Sequence, residues 1–146
     1  MNIKELLDLE LGDSVSVFNK PFEYAGKVRI TLDNETKLHW FFADDDGLLA
    51  VAPEEDELLL FTKIDEEVEP DETVLFQNKE YEFTYEDAGA VNEIEGETLM
   101  EEEDRYLFSD YQSADGEIVR LVSNENTGDT VAYVGRTVSE DDLAEL

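Results

Sequence analysis

A chain of 146 residues that carries 40 Asp and Glu against 10 Lys and Arg, a formal net charge of -30, lacks the clustered cations that hold nucleic-acid phosphates or anionic membrane surfaces. Hydrophobic residues at 41% and aromatic residues at 10% still supply a core, so the length reads as one globular domain over 1–146 and not as a disordered acidic tail. No Cys is present, which excludes disulfides, thiolate nucleophiles and cysteine metal sites and fits a reducing compartment.

In chain order, Ile3-Lys4-Glu5-Leu6-Leu7 has the apolar spacing of one short helix, which Gly12-Asp13 stops. Met1 to Leu11 contains no long apolar stretch and reads as neither signal peptide nor membrane span, so the cytoplasm is the expected location. From there the period becomes two. Val28, Ile30 and Leu32 alternate with Lys27, Arg29 and Thr31, and Tyr81 to Tyr85 repeats the pattern. The runs Leu38 to Phe42, Leu48 to Val51, Leu58 to Ile64, Val74 to Phe76, Tyr106 to Phe108, Ile118 to Val122 and Val131 to Val134 are too short for typical helices and read as strands. Asp46-Gly47, Asp115-Gly116 and Thr127-Gly128-Asp129 are the turn signals between them. Ser139 followed by Asp142 has the spacing of an N-cap, and a closing helix is predicted over Glu140 to Leu146. Val28, Ile30, Leu32, Trp40, Phe83, Leu121 and Val131 are the predicted core positions on these strands.

Two segments share an order of features. Val17 to Tyr24 parallels Leu75 to Phe83, each an apolar strand, an Asn-Lys turn and an aromatic-acidic alternation, and Trp40 to Leu49 parallels Tyr106 to Val119. The predicted fold is therefore all-β, a compact barrel or sandwich of two similar antiparallel halves, about 12–66 and 72–138, joined near Glu66 to Glu72, with a short helix at each end.

The motifs that carry chemistry are sparse. His39 is the single histidine and has no second ligand of its own type, so it reads as a surface residue facing opposite to Trp40. Asp44-Asp45-Asp46-Gly47 fails the alternation of a calcium loop and reads as a hairpin turn. No Gly-x-Ser-x-Gly elbow, phosphate-binding glycine loop or triad is present. Neither a catalytic residue, a metal site nor a cofactor is expected. The acidic runs Glu54-Glu55-Asp56-Glu57 and Glu101-Glu102-Glu103-Asp104 stand out instead. Phe41, in the consecutive Trp40-Phe41-Phe42, must face away from its neighbours and is covered either by a second layer or by a partner.

Leu11-Gly12-Asp13, Phe22-Glu23-Tyr24-Ala25-Gly26, Leu38-His39-Trp40, Phe76 to Tyr81 and Tyr133-Val134-Gly135-Arg136-Thr137-Val138 resemble, in that order, the domain of unknown function family 4178. The resemblance covers most of the chain and its motifs are structural. It implies a β-rich accessory protein, in some members encoded near envelope-stress or polyamine-synthesis genes. Function is accordingly expected to be non-catalytic binding. Phe41, Glu54, Glu55, Asp56, Glu57, Glu101, Glu102, Glu103 and Asp104 form the candidate surface for a cationic partner, a basic protein segment or a polyamine. A DNA-mimic inhibitor and a carboxylate-metal enzyme are the alternatives; oligomeric state is left open.

Overall fold

The computed structural model describes residues 2–43, 46–65, 68, 71–96, 98 and 100–145. Period-two alternation dominates it. After helix α1 (Ile3–Leu7) come strands β1 (Ser14–Val17), β2 (Lys20–Glu23), β3 (Gly26–Leu32), β4 (Lys37–Phe42), β5 (Gly47–Ala52), β6 (Glu57–Ile64) and β7 (Thr73–Phe76). The long β8 (Lys79–Gly96), then β9 (Arg105–Gln112), β10 (Ile118–Asn124), β11 (Thr130–Thr137) and β12 (Leu143–Glu145) complete the order.

The large sheet runs β3-β4-β5-β6-β11-β10-β9-β8-β7, and β3 also pairs with β8. That extra pairing, from Gly26 opposite Gly96 to Leu32 opposite Gly89, closes eight antiparallel strands into a barrel. Closure leaves those eight strands without a free edge, and among the described residues β7, paired with β8 alone, stays an edge strand, as do β12 and β2 of the small β12-β1-β2 sheet. Two meanders, β3-β4-β5-β6 and β8-β9-β10-β11, meet at the β6–β11 and β3–β8 seams.

Each meander is covered outside by a hairpin that precedes it. The turns of the two hairpins, Phe18-Asn19 (φ 51 and 63) and Gln77-Asn78 (φ 51 and 62), are both left-handed at both positions, the twist that joins two strands tightly. The β1–β2 hairpin, with α1 and β12, covers β4, β5 and β6, burying Val15, Val17, Phe22 and Tyr24 against Phe41, Leu49, Val51 and Leu58. The hairpin of β7 and the start of β8 covers the second meander, burying Val74, Phe76 and Tyr81 with Tyr111, Val119, Leu121 and Ala132. Strands buried on both faces explain why Leu48–Ala52 is a continuous apolar run and why Ile118–Val122 is apolar at every position but Arg120, neither run alternating. The barrel interior holds Val28, Ile30, Leu32, Trp40, Phe42, Leu48, Leu59, Phe61, Val91, Phe108, Val122 and Tyr133.

Three details differ from the sequence reading. Phe83 is 47% exposed, because the β8–β9 register shifts between Phe83 and Tyr85. The bulge turns Phe83 to the outer face, where the Tyr111 ring covers one side of it at 5.7 Å. Val131 is only partly buried, at the start of β11. The predicted closing helix is a single 3₁₀ turn, Glu140–Asp142, whose Ser139 capping box forms as the spacing implies. Leu143 is then drawn into the second core at 4% exposure, and the chain extends as β12 beside β1, with Val17 opposite Leu143. Leu146 lies outside the described residues, as do Asp44 and Asp45 of the β4–β5 turn and Glu66, Glu67, Glu69 and Pro70 of the predicted joint.

Gly135 faces the seam between β11 and β6. A methyl group there would overlap the Leu60 carbonyl oxygen and sit 2.7 Å from Phe61 Cδ1. Gly135→Ala is therefore expected to cost about 1–3 kcal/mol, as overpacking does, measured by urea unfolding. An unchanged midpoint would show that β11 can shift without loss.

Candidate functional site

Strand parity points one set of side chains inward along each strand, and at one end of the barrel those inward positions turn polar. Glu57 continues the inward stripe of Leu59 and Phe61, Asp110 that of Tyr106 and Phe108, and Arg120 that of Val122. Tyr85 and Asp87 reach the same end from β8. They surround a cavity of about 190 Å³, whose apolar lining comes from Leu32, Leu38, Trp40, Ala50 and Phe108 and whose polar lining comes from Glu55, Glu57, Tyr85, Asp87, Asp110 and Arg120. An eight-stranded barrel is just wide enough to be filled by its own side chains or to hold one small ligand. Here the far end is filled, by Met100 (5% exposed) and Tyr106 (4%), and this end is open.

Arg120 lies directly opposite Asp110 across the β9–β10 pair. Its Nε donates to Asp110 Oδ1 at 2.7 Å and its Nη2 to Oδ2 at 2.9 Å, a two-pronged ion pair whose members are 7% and 8% exposed. The guanidinium carbon stands 4.9 Å from the Phe61 ring centre and 5.6 Å from that of Trp40. Burial would lower the Arg120 pKa, but the hydrogen bonds and charge of Asp110, with Glu57 and Tyr85, raise it overall. Arg120 therefore stays charged.

At the rim, loss of solvent raises the Glu57 carboxyl above its usual range; Arg120 opposes the shift, while Glu55 and Asp110 add to it. Tyr85 Oη donates to Asp87 Oδ2 at 2.6 Å, and burial followed by that bond pushes the phenol up. The short 3₁₀ turn Pro53–Glu55 sets this rim, ending on Asp56 in the left-handed region (φ 54) so that β6 can begin at Glu57. Glu54 Oε2 accepts the Lys37 backbone N–H at 3.0 Å and ties the turn to β4.

The structure separates the residues that the sequence analysis grouped. Phe41 is 1% exposed beneath the β1–β2 layer, its ring 5.1 Å from that of Tyr24; of the two expected covers, the second layer is the one present. Glu55 and Glu57 line the cavity. Glu101, Glu102 and Glu103 are exposed at the opposite end of the barrel, since β8 ends where β5 begins and β6 finishes. Asp104 there accepts the Asn124 side-chain N–H at 2.9 Å and is part of the fold. The aromatic partners of the rim acids are Trp40 and Phe108, not Phe41. Asp110 and Arg120 were missed although a signal existed: Arg120 is the one charge inside Ile118–Val122, and a charge within a doubly buried strand needs a buried partner.

A family model for the domain of unknown function DUF4178 matches residues 10–140. The chain belongs to this family. No curated protein and no solved structure matches it. Of the DUF4178 residues that carried the resemblance, Gly26 and Gly135 sit at barrel seams and Trp40 forms the cavity floor, so those motifs build the barrel. Among the described residues, no three His, Asp or Glu side chains are grouped to hold a metal ion, and no helix is long and apolar enough to cross a membrane.

His39 stands on the outer face of β4, opposite in parity to Trp40 and across from Arg29. Burial lowers its pKa below 6.5, and Lys27, Arg29 and Lys37 add to the shift. The unfolded chain thus binds the proton more readily, so this residue's contribution to stability is present above pH 6.5 and declines as the pH falls toward the folded-state pKa. As the single histidine, its ring resonances are expected to titrate by NMR with a midpoint below 6.5. A midpoint above that value would mean that nearby carboxylates outweigh both burial and the three cations.

Proposed function

We propose that the protein is a non-catalytic binding protein whose barrel mouth takes a cationic partner, a basic protein segment or a polyamine. One observation carries the reading. Glu55, Glu57, Asp87 and Asp110 line an apolar-floored cavity whose single cation among the described residues, Arg120, is already matched by Asp110. Rim carboxylates without a partner cation favour an ammonium or guanidinium entering from solvent, and the -30 net charge raises the local concentration of such ligands. The non-catalytic part is supported by His39, which lies on the outer face away from the cavity, and by the ion pair at the floor, which engages the most buried acid. A cytoplasmic accessory role in envelope-stress or polyamine-linked physiology fits the family. The reading of the two halves as a duplication, about 12–66 and 72–138, is supported by the matched hairpin turns and the two matched meanders.

The two acidic runs now make a controlled comparison. In calorimetric titrations with spermidine and with an oligolysine peptide at low salt, Glu55→Gln/Glu57→Gln is expected to weaken binding about tenfold or more. Glu101→Gln/Glu102→Gln/Glu103→Gln should leave it within about twofold, because distant exposed charges act mainly on the encounter rate. Equal losses from both variants would show diffuse surface attraction, and the mouth would not be the site.

A further inference from the structure

The floor of the cavity carries a feature that a simple cation site does not need. Asp110 occupies Nε and one N–H of Nη2 of Arg120, and a guanidinium has five N–H donors in a fixed fork. No other hydrogen bond to protein holds Arg120 among the described residues. The side-chain atoms that are both sealed from solvent and without a partner there are Tyr24 Oη and His39 Nδ1. Arg120 is not one of them, although its side chain is only 8% exposed, and it is part of the cavity wall. Its remaining N–H edge therefore borders the cavity. Trp40 and Phe61 against the guanidinium, with Asp110 on its other edge, leave that fork no freedom to swing outward.

We infer that the barrel mouth binds a free basic amino acid, with the ligand's carboxylate on the outward edge of Arg120 and its ammonium groups among Glu55, Glu57 and Asp87. The inference rests on the cation-binding reading of the same mouth and narrows it. A donor fork at the floor and carboxylates at the rim form a two-ended site, and a ligand with an acceptor at one end and a cation at the other satisfies both. The size is consistent: about 190 Å³ is room for a small molecule such as an amino acid and well below that of a folded partner. A diamine matches the rim but would aim an ammonium or a methylene chain at the guanidinium, leaving those donors without acceptors.

Matched pairs isolate the carboxylate. Lysine against 1,5-diaminopentane, and ornithine against 1,4-diaminobutane, differ by that group alone, and each is titrated calorimetrically into the intact chain. The amino acid is expected to bind about tenfold or more tightly than its diamine, since a charge-assisted bond to a fixed guanidinium is among the stronger polar contacts. In Asp110→Leu/Arg120→Leu the ratio is expected to fall to about one or below. Arg120→Lys keeps the charge without the fork and should also shrink it, so the test survives if the double variant does not fold. Diamines binding as well as or better than the amino acids would overturn this inference and leave the cation-binding reading standing. If none of the four ligands binds and oligolysine does, the inference falls and the mouth serves a basic protein segment. If nothing cationic binds, both readings fall.

Discussion

Asp110→Ala is expected to destabilise the protein by about 3–5 kcal/mol, because it leaves Arg120 charged, buried and without its counter-charge. The guanidinium cannot escape by losing its proton, as a buried Lys would, and the rings of Trp40 and Phe61 hold it in place. Glu57 lies close enough for its charge to be felt at Arg120, but it is exposed at the rim and no hydrogen bond joins the two. Removing both members of the pair behaves differently. Asp110→Leu/Arg120→Leu takes away the cost of burying two charges as well as their attraction, and is expected to recover most of the loss. Urea unfolding followed by far-UV circular dichroism measures both. A single variant costing less than about 1 kcal/mol would mean that solvent reaches Arg120 freely and that the floor of the cavity is wetter than the burial of the pair implies.

That ion pair also marks where sequence reasoning stopped. The barrel strands were legible because burial imposes a period of two, as along Val28, Ile30 and Leu32. Leu48 to Val51 was legible as a strand, and a covering layer was legible at Trp40-Phe41-Phe42, where consecutive aromatic residues must occupy both faces. Phe83 was not, because a bulge leaves no local mark and only the pairing with β9 shows that parity has slipped. Leu143 was misassigned for a related reason. Its N-cap is local and correctly read, but the ladder to β1 joins residues at opposite ends of the chain. The acidic runs were visible as charge, yet which run faces an opening depends on β6 starting with an inward Glu57 and on Met100 plugging the other end. With 40 acidic residues, abundance hid the few that converge.

Trp40→Ala is expected to cost about 3–5 kcal/mol, the range for truncating a large buried aromatic side chain. Trp40 is 1% exposed and sits between two kinds of neighbour: the Phe108 ring packs edge-on at 5.2 Å, and Arg120 lies over its face at 5.6 Å. Truncation removes the apolar contact area, the ring pair and the cation's partner together. The space left behind joins the existing opening and does not form a sealed void, so water can enter it and reach the Asp110–Arg120 pair. That relieves part of the empty-cavity penalty while weakening the ion pair's low-dielectric setting. Trp40→Phe keeps a ring against Phe108 and Arg120 and is expected to cost less than half as much. Because Trp40 is the one tryptophan in the chain, its fluorescence is lost in both variants, and unfolding must be followed by far-UV circular dichroism. A loss below about 1 kcal/mol for Trp40→Ala, with Trp40→Phe no better, would show that the ring is dispensable and that Phe61 and Phe108 alone hold the floor of the cavity.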